Sequence, residues 1–225
     1  MEYETWSPVY ERILADFGYD RAADERARDV LAGLTRPFEE SRLGSLDGAT
    51  VAVAGAGPSL ADEADAAAAA DAVLAASTAV DTLADAGVDA DVMVTDLDKN
   101  PETARALTRR GVPVAVHAHG DNVPAVERWV PAFDAAHVLP TTQAEPRGPV
   151  RNYGGFTDGD RAAFLADAFG ADELQFVGWD FEDPAVDAEK RKKLAWAERL
   201  LAWLERRRGD RFAVLDGRRD AIDPL

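Results

Sequence analysis

The chain contains no cysteine, which removes disulfide frameworks and thiolate metal sites from consideration. Lysine is nearly absent: of the 25 basic residues only Lys99, Lys190, Lys192 and Lys193 are lysines. Basic residues are outnumbered by 42 acidic ones, giving a net charge of −17 and a pI near 4.5. No basic stripe is available to neutralise phosphates, so nucleic-acid binding is not expected. No apolar run reaches the roughly 18 residues of a membrane-spanning helix. The Ala-rich stretch 64–77 is interrupted by Asp65 and Asp71 and reads as helix running into strand. The opening MEYETWSPVY has no basic segment followed by an apolar run, so no signal peptide and a cytoplasmic, membrane-free location are expected.

What is present points to a folded protein. Acids are spread along the whole chain and 47% of residues are hydrophobic, which is not the composition of a disordered acidic tail. The Asp- and Ala-rich, Lys-poor make-up has the character of a halophilic protein whose surface charge answers salt. At 225 residues the chain suits one α/β domain with a helical extension. Residues 1–45 read as helices. Trp6, Val9, Tyr10, Ile13, Leu14 and Phe17 recur at helical spacing, and a second helix after Asp20 places Ala27, Val30, Leu31 and Leu34 inward.

From about residue 46 short apolar runs alternate with helical stretches: 49–55, 72–77, 91–96, 112–119, 136–142, 174–180 and 212–217. Runs this apolar predict strands buried on both faces, hence a Rossmann-like, mainly parallel doubly wound sheet over 46–225. Most of these runs end in small and polar residues: GAGPSL, TDLD, HAHGDN and GWDF. Ligands bind outside the carboxyl ends of such strands, so these clusters are expected to serve one site.

Each cluster carries a particular chemistry. In GAGPSL, Gly55 and Gly57 permit close backbone approach and Ser59 offers a hydroxyl to a phosphate, although the pattern is not the dinucleotide G-x-G-x-x-G. Asp96 and Asp98, two apart in an extended segment, present both carboxylates to one side, the usual setting for a hard cation such as Mg²⁺. His117 and His119 share one face of their strand end. With no cysteine and His137 distant in sequence, a zinc site is disfavoured. One histidine is expected to contact substrate or phosphate while Asp121 and Asn122 orient ligand or metal-bound water. Thr157 and Asp160 have capping-box spacing, yet three nearby glycines and Asp158 favour an active-site loop. Lys192 and Lys193 begin a helix, where cations oppose the helix dipole and anions are the natural partners.

Together and in this order, Gly55–Leu60, Thr95–Asp98, His117–Asn122, Gly155–Arg161, Gly178–Phe181 and Lys192–Leu194 resemble the archaeal 6-hydroxymethyl-7,8-dihydropterin pyrophosphokinase (MptE-like) family over roughly residues 50–200. Lys99 departs from the pattern, where a small residue such as glycine is expected. The resemblance implies transfer of pyrophosphate from ATP to the hydroxymethyl group of a reduced pterin, with release of AMP, on a route to folate-like or methanopterin-like carriers. On that basis Asp96 and Asp98 would hold Mg²⁺, with Asp121 or Asp158 in support. Lys192 or Lys193 and the glycine turn would hold phosphate. Asn122, Asp160 or Asp180 would meet the polar edge of the pterin, and Tyr153, Phe156 or Trp179 its face. A metal-dependent glycosyltransferase and a non-catalytic nucleotide-binding protein are the alternatives, and homo-oligomerisation is left open.

Overall fold

The computed structural model describes residues 1–225. Its strands are β1 (Thr50–Ala54), β2 (Ala72–Ala76), β3 (Val92–Thr95), β4 (Val114–Ala118), β5 (Val138–Thr142) and β6 (Glu173–Val177). They form one sheet in the order β5-β4-β3-β2-β1-β6, with β1 parallel to both β2 and β6, and β4 parallel to both β3 and β5. The α/β architecture with a parallel sheet and flanking helices is therefore the one the apolar runs predict. Every residue of β2 to β5 is buried, which is why those strands read as continuous apolar runs rather than alternating ones.

The chain forms two compact units, one of residues 1–44 and 91–154 and the other of 45–90 and 155–225. In the first, α1 (Tyr3–Phe17) buries Trp6, Val9, Tyr10, Ile13 and Leu14 and stops at Gly18, whose φ of 71° closes the helix. Helix α2 (Arg21–Leu34) starts at Asp20, whose carboxylate accepts the Ala22 N–H at 3.0 Å. It packs on α6 (Val123–Trp129), β4 and β5. Its buried face is only partly the predicted one: Ala27 and Leu31 are inward as expected, Val30 is half-buried, and polar residues take the remaining places. Asp24, Ala27, Arg28 and Leu31 are buried, whereas Leu34 is 37% exposed. Two polar residues with tertiary partners occupy the inward stripe, and a purely apolar pattern cannot register them. Helix α5 (Pro101–Arg109) packs on β4.

In the second unit, α3 (Ala64–Ala68) packs on β1 and β6, and α4 (Ala79–Asp85) packs on β2. Helix α7 (Asp158–Ala168) packs on β1, β2 and α8 (Ala188–Arg208). The predicted strand over 212–217 is not formed. Phe212 and Leu215 are buried, but Ala213–Leu215 is a single 3₁₀ turn. Side chains take its backbone groups instead of a neighbouring strand: Phe212 N–H donates to the Glu205 carboxylate at 2.6 Å, and the Arg219 guanidinium donates to the Phe212 carbonyl at 2.6 Å. No helix is long and apolar enough to cross a membrane.

Candidate active site

In the first unit, β3 ends at Thr95 and the chain turns at once. Leu97 has a φ of 68°, a left-handed conformation that costs a non-glycine residue roughly 1–3 kcal/mol and must be held by its surroundings. Three features hold it. Leu97 N–H donates to Thr95 Oγ1 at 2.9 Å, Asp98 N–H donates to the Asp96 carboxylate at 3.1 Å, and the Leu97 side chain is 2% exposed. The segment is thus a turn, not the extended piece that the D-x-D spacing predicts. It still brings the two acids together, for Asp96 and Asp98 share a side-chain hydrogen bond. Lost hydration, that hydrogen bond and repulsion from Asp96 push the Asp98 carboxyl up to about 6, against the lowering effect of Lys99 and His119.

The HAHGDN segment meets this pair. His119 Nε2 lies 3.4 Å from the Asp96 carboxylate, with the two side chains 25% and 21% exposed. His117 lies deeper. It is buried beside β5 with Nδ1 3.1 Å from Thr141 Oγ1, and its ring centroid is 6.3 Å from that of His119. Asn122 is buried and spends its amide on the backbone. Its nitrogen donates to the carbonyls of Asp96 at 2.8 Å and His117 at 2.6 Å, while its oxygen accepts the His119 N–H at 3.0 Å. This amide clips the end of β3 to the end of β4. Asp121 projects from the same turn and is exposed.

In the second unit the glycine turn after β1 lies backbone to backbone on the end of β6. Gly55 N–H donates to the Val177 carbonyl and Gly57 N–H to the Gly178 carbonyl, each at 2.9 Å. Ser59 N–H donates to the Asp180 carboxylate at 3.0 Å, and Gly178 N–H to the Glu63 carboxylate at 2.7 Å. A Cβ on Gly55 would stand 2.6 Å from the Gly178 carbonyl oxygen, and one on Gly57 would stand 2.7 Å from it. The glycines are demanded by this close approach, and their amides are bonded within the chain. The helix after the turn is a four-residue 3₁₀ segment, Pro58–Ala61, too short to carry a full macrodipole.

Trp179 donates its indole N–H to the Val53 carbonyl at 2.9 Å, and its ring lies where a Cβ on Gly159 would meet it at 2.9 Å. Gly159 belongs to the first turn of α7, which Thr157 and Asp160 cap. The Asp160 carboxylate accepts the Thr157 hydroxyl at 2.6 Å, the Thr157 N–H at 3.0 Å, and the Phe156 N–H. Asp160 is fully buried, and burial raises its pKa against the lowering effect of those donors and Arg161. Asp158 pairs with Arg161 at 3.0 Å, the two side chains being 14% and 8% exposed. The residues of the GGFTDGD stretch therefore have packing and capping partners. In α8, Lys193 pairs with Glu189 at 2.9 Å and Lys192 is half-buried.

The structure thus gathers Asp96, Asp98, His119 and Asn122 in one unit. In the other it gathers Gly55, Gly57, Ser59, Trp179 and Asp180, and beside α7 Thr157, Asp158 and Asp160. No group of three or more His, Asp or Glu residues forms a ready-made metal cage. Asp24, which belongs to no strand-end motif, is also buried and bonds to the HAHGDN turn. Its helical spacing to Ala27, Arg28 and Leu31 was the available signal.

Comparison with known proteins adds the chemical context. A model of the family described as 6-hydroxymethylpterin diphosphokinase MptE-like matches residues 29–185. Three curated proteins named 6-hydroxymethyl-7,8-dihydropterin pyrophosphokinase are similar over most of the chain. The protein from Methanothermobacter thermautotrophicus is 40% identical over 225 residues, covering 92% of this chain and 96% of its own. That from Pyrococcus furiosus is 40% identical over 224 residues, covering 91% and 95%. That from Methanocaldococcus jannaschii is 30% identical over 233 residues, covering 91% and 96%.

Proposed function

Because the chain belongs to the 6-hydroxymethylpterin diphosphokinase MptE-like family, we propose that it transfers pyrophosphate from ATP to 6-hydroxymethyl-7,8-dihydropterin and releases AMP. The observation that carries the reading is similarity to pyrophosphokinases along more than nine-tenths of the chain, together with a carboxylate pair and an imidazole at adjacent strand ends. In the reaction the hydroxymethyl oxygen forms a bond to the β-phosphorus and the bond from that phosphorus to the α-phosphate oxygen breaks. AMP departs with the bridging oxygen, and the hydroxyl proton passes to a base or to solvent.

Asp96 and Asp98 fit Mg²⁺. Lost hydration, then hydrogen bonding to and repulsion from Asp96, push the Asp98 carboxyl up to about 6, and a divalent cation held by the two carboxylates would offset the repulsive part. Mg²⁺ takes one or two carboxylates and completes its shell with water and phosphate oxygens, so a cage of three protein acids is not required. When bound, the ion would neutralise phosphate charge and orient the β-phosphorus for in-line attack. His119 holds its ring beside Asp96, where its second nitrogen can donate to a phosphate oxygen. Asn122 keeps both strand ends in place. Transfers of this kind depend mainly on positioning and charge stabilisation, which these groups supply.

The test is AMP release from ATP in the presence of the reduced pterin, assayed in molar KCl as the acid-rich surface recommends. AMP should appear in equal amount with the pterin diphosphate, and Asp96→Asn should lower the rate by at least about a hundredfold. No pterin-dependent AMP from the wild-type protein would overturn the proposal, and a nucleoside diphosphate made from a nucleotide sugar would replace it with glycosyl transfer.

A further inference from the structure

The turn that carries His119 is held from outside its own segment by a carboxylate on α2. Gly120, the next residue, donates its N–H to Asp24 at 2.7 Å. The other oxygen of Asp24 accepts the Tyr10 hydroxyl at 2.7 Å and the Gln143 side-chain amide at 2.7 Å. Gln143 is fixed in turn, because the Trp6 indole and the Asn152 amide donate to its carbonyl at 2.8 and 2.9 Å. Helix α1, helix α2 and the residue after β5 therefore converge on one carboxylate, and that carboxylate bonds directly to the HAHGDN turn. The contact is close: a Cβ on Gly120 would lie 2.8 Å from the Ala23 Cβ, so only glycine lets α2 back directly onto the turn.

Asp24 is 4% exposed. Burying a carboxylate forfeits hydration that its donors only offset, and an apolar residue would complete the inward stripe with Ala27 and Leu31 without that loss. What the carboxylate supplies that an apolar residue cannot is an acceptor for Gly120 N–H, one residue from the imidazole that faces Asp96. We propose that Asp24 is a positioning residue of the transfer site, fixing through Gly120 the turn that presents His119 to Asp96. The N-terminal helix pair is then a working part of the site. The kinetic arm of this inference rests on the pyrophosphokinase reading; the structural arm does not.

Four variants test it, each assayed well below its melting temperature. Asp24→Ala should lower kcat at least about tenfold with the pterin KM within about twofold, as expected when a group is misplaced and not lost. Asp24→Asn keeps a carbonyl oxygen for Gly120 N–H and should recover most of kcat. Gly120→Ala forces α2 and the turn apart and should resemble Asp24→Ala. Leu31→Ala, fully buried on the same helix, should destabilise the fold and leave kcat within about twofold. By NMR at fixed pH, the Gly120 amide should be downfield and slowly exchanging in the wild type, and should move upfield with exchange at least about tenfold faster in Asp24→Ala.

An unmoved Gly120 amide, or equal kcat losses in Leu31→Ala and Asp24→Ala, would overturn the proposal. If Asp24→Ala does not fold, Gly120→Ala against Asp24→Asn decides the kinetic arm, and the wild-type Gly120 amide decides the structural one, since an amide that is neither downfield nor slowly exchanging there would overturn the contact. If the wild type releases no AMP with the pterin, the pyrophosphokinase reading fails while the amide measurement still decides whether the clamp exists.

Discussion

Replacing Asn122 by alanine removes one side chain and strands three backbone groups. The carbonyls of Asp96 and His117 lose a donor at 2.8 and 2.6 Å, and the His119 N–H loses its acceptor at 3.0 Å. A buried polar group left without a partner costs about 1–3 kcal/mol. Asp96 is partly open to solvent, so water takes over part of the deficit there, leaving an expected loss of about 2–4 kcal/mol. For a chain of 225 residues at about 2–4 °C per kcal/mol, the melting temperature should fall by about 5–15 °C. Asn122→Asp sharpens the experiment because it keeps the shape and reverses the polarity. Its carboxylate would face two carbonyl oxygens, so its folded pKa must rise and the variant should be less stable than Asn122→Ala at pH 7. As pH falls through that raised pKa the carboxyl gains a proton that it can donate to one carbonyl, and the gap should narrow. Thermal melts of both variants from pH 4 to pH 8 provide the assay. Asn122→Ala within about 1 °C of the wild type, or Asn122→Asp the more stable of the two at pH 7, would refute the clip.

The remaining expectations are briefer. Asp98 has a folded pKa of about 6 against an ordinary 3.8, so the folded state holds its proton more tightly. Without divalent cations, stability should therefore fall as pH rises from about 4 to 6 and then level off, and Asp98→Asn should flatten that slope. Mg²⁺ affinity, read by isothermal titration, should rise over the same window because the cation needs the deprotonated pair. Gly55→Ala would place its methyl group against the Gly178 carbonyl oxygen and should cost about 1–3 kcal/mol in urea denaturation. Gly33→Ala in α2 meets nothing within 4 Å and should stabilise by about 0.5–1 kcal/mol. Lys192→Ala should raise the KM for ATP; unchanged kinetics would make that lysine part of a solvated face.

How far the sequence could be read depended on where each residue's partners lie. β2 to β5 were legible because burial on both faces leaves continuous apolar runs, a signal contained within each segment. The 212–217 run carries the same signal but is docked through Phe212 and Leu215, with Glu205 and Arg219 closing its backbone groups; those partners are invisible in the run itself. The stripe of α2 is half legible for a similar reason: Ala27 and Leu31 are inward as their spacing predicts, but Asp24 and Arg28 are inward only because Gly120 and the Glu145 carbonyl meet them from far along the chain. Asp96, Asp98 and His119 were found by residue type and by position at strand ends. Their convergence was not derivable from spacing, since it depends on the left-handed Leu97 and on the Asn122 amide.

The polar strand ends therefore divide by what their groups are bonded to. The turn after β1 and the end of β6 interlock through the amides of Gly55, Gly57 and Ser59, and the Thr157–Asp160 stretch caps α7 with a fully buried carboxylate. Small and acidic residues at these places follow from close packing, whatever further part Ser59 plays. After β3 and β4 the logic is reversed. Backbone groups are tied down by Asn122, Thr95 and Asp24, and Asp98, beside Asp96, is pushed up to about 6, by lost hydration first and by its neighbour second. On the proposed reading a cation and the phosphates it carries would complete this turn, with His119 beside Asp96, so Asp96→Asn and Asp98→Asn are the variants that decide whether the chemistry lies there.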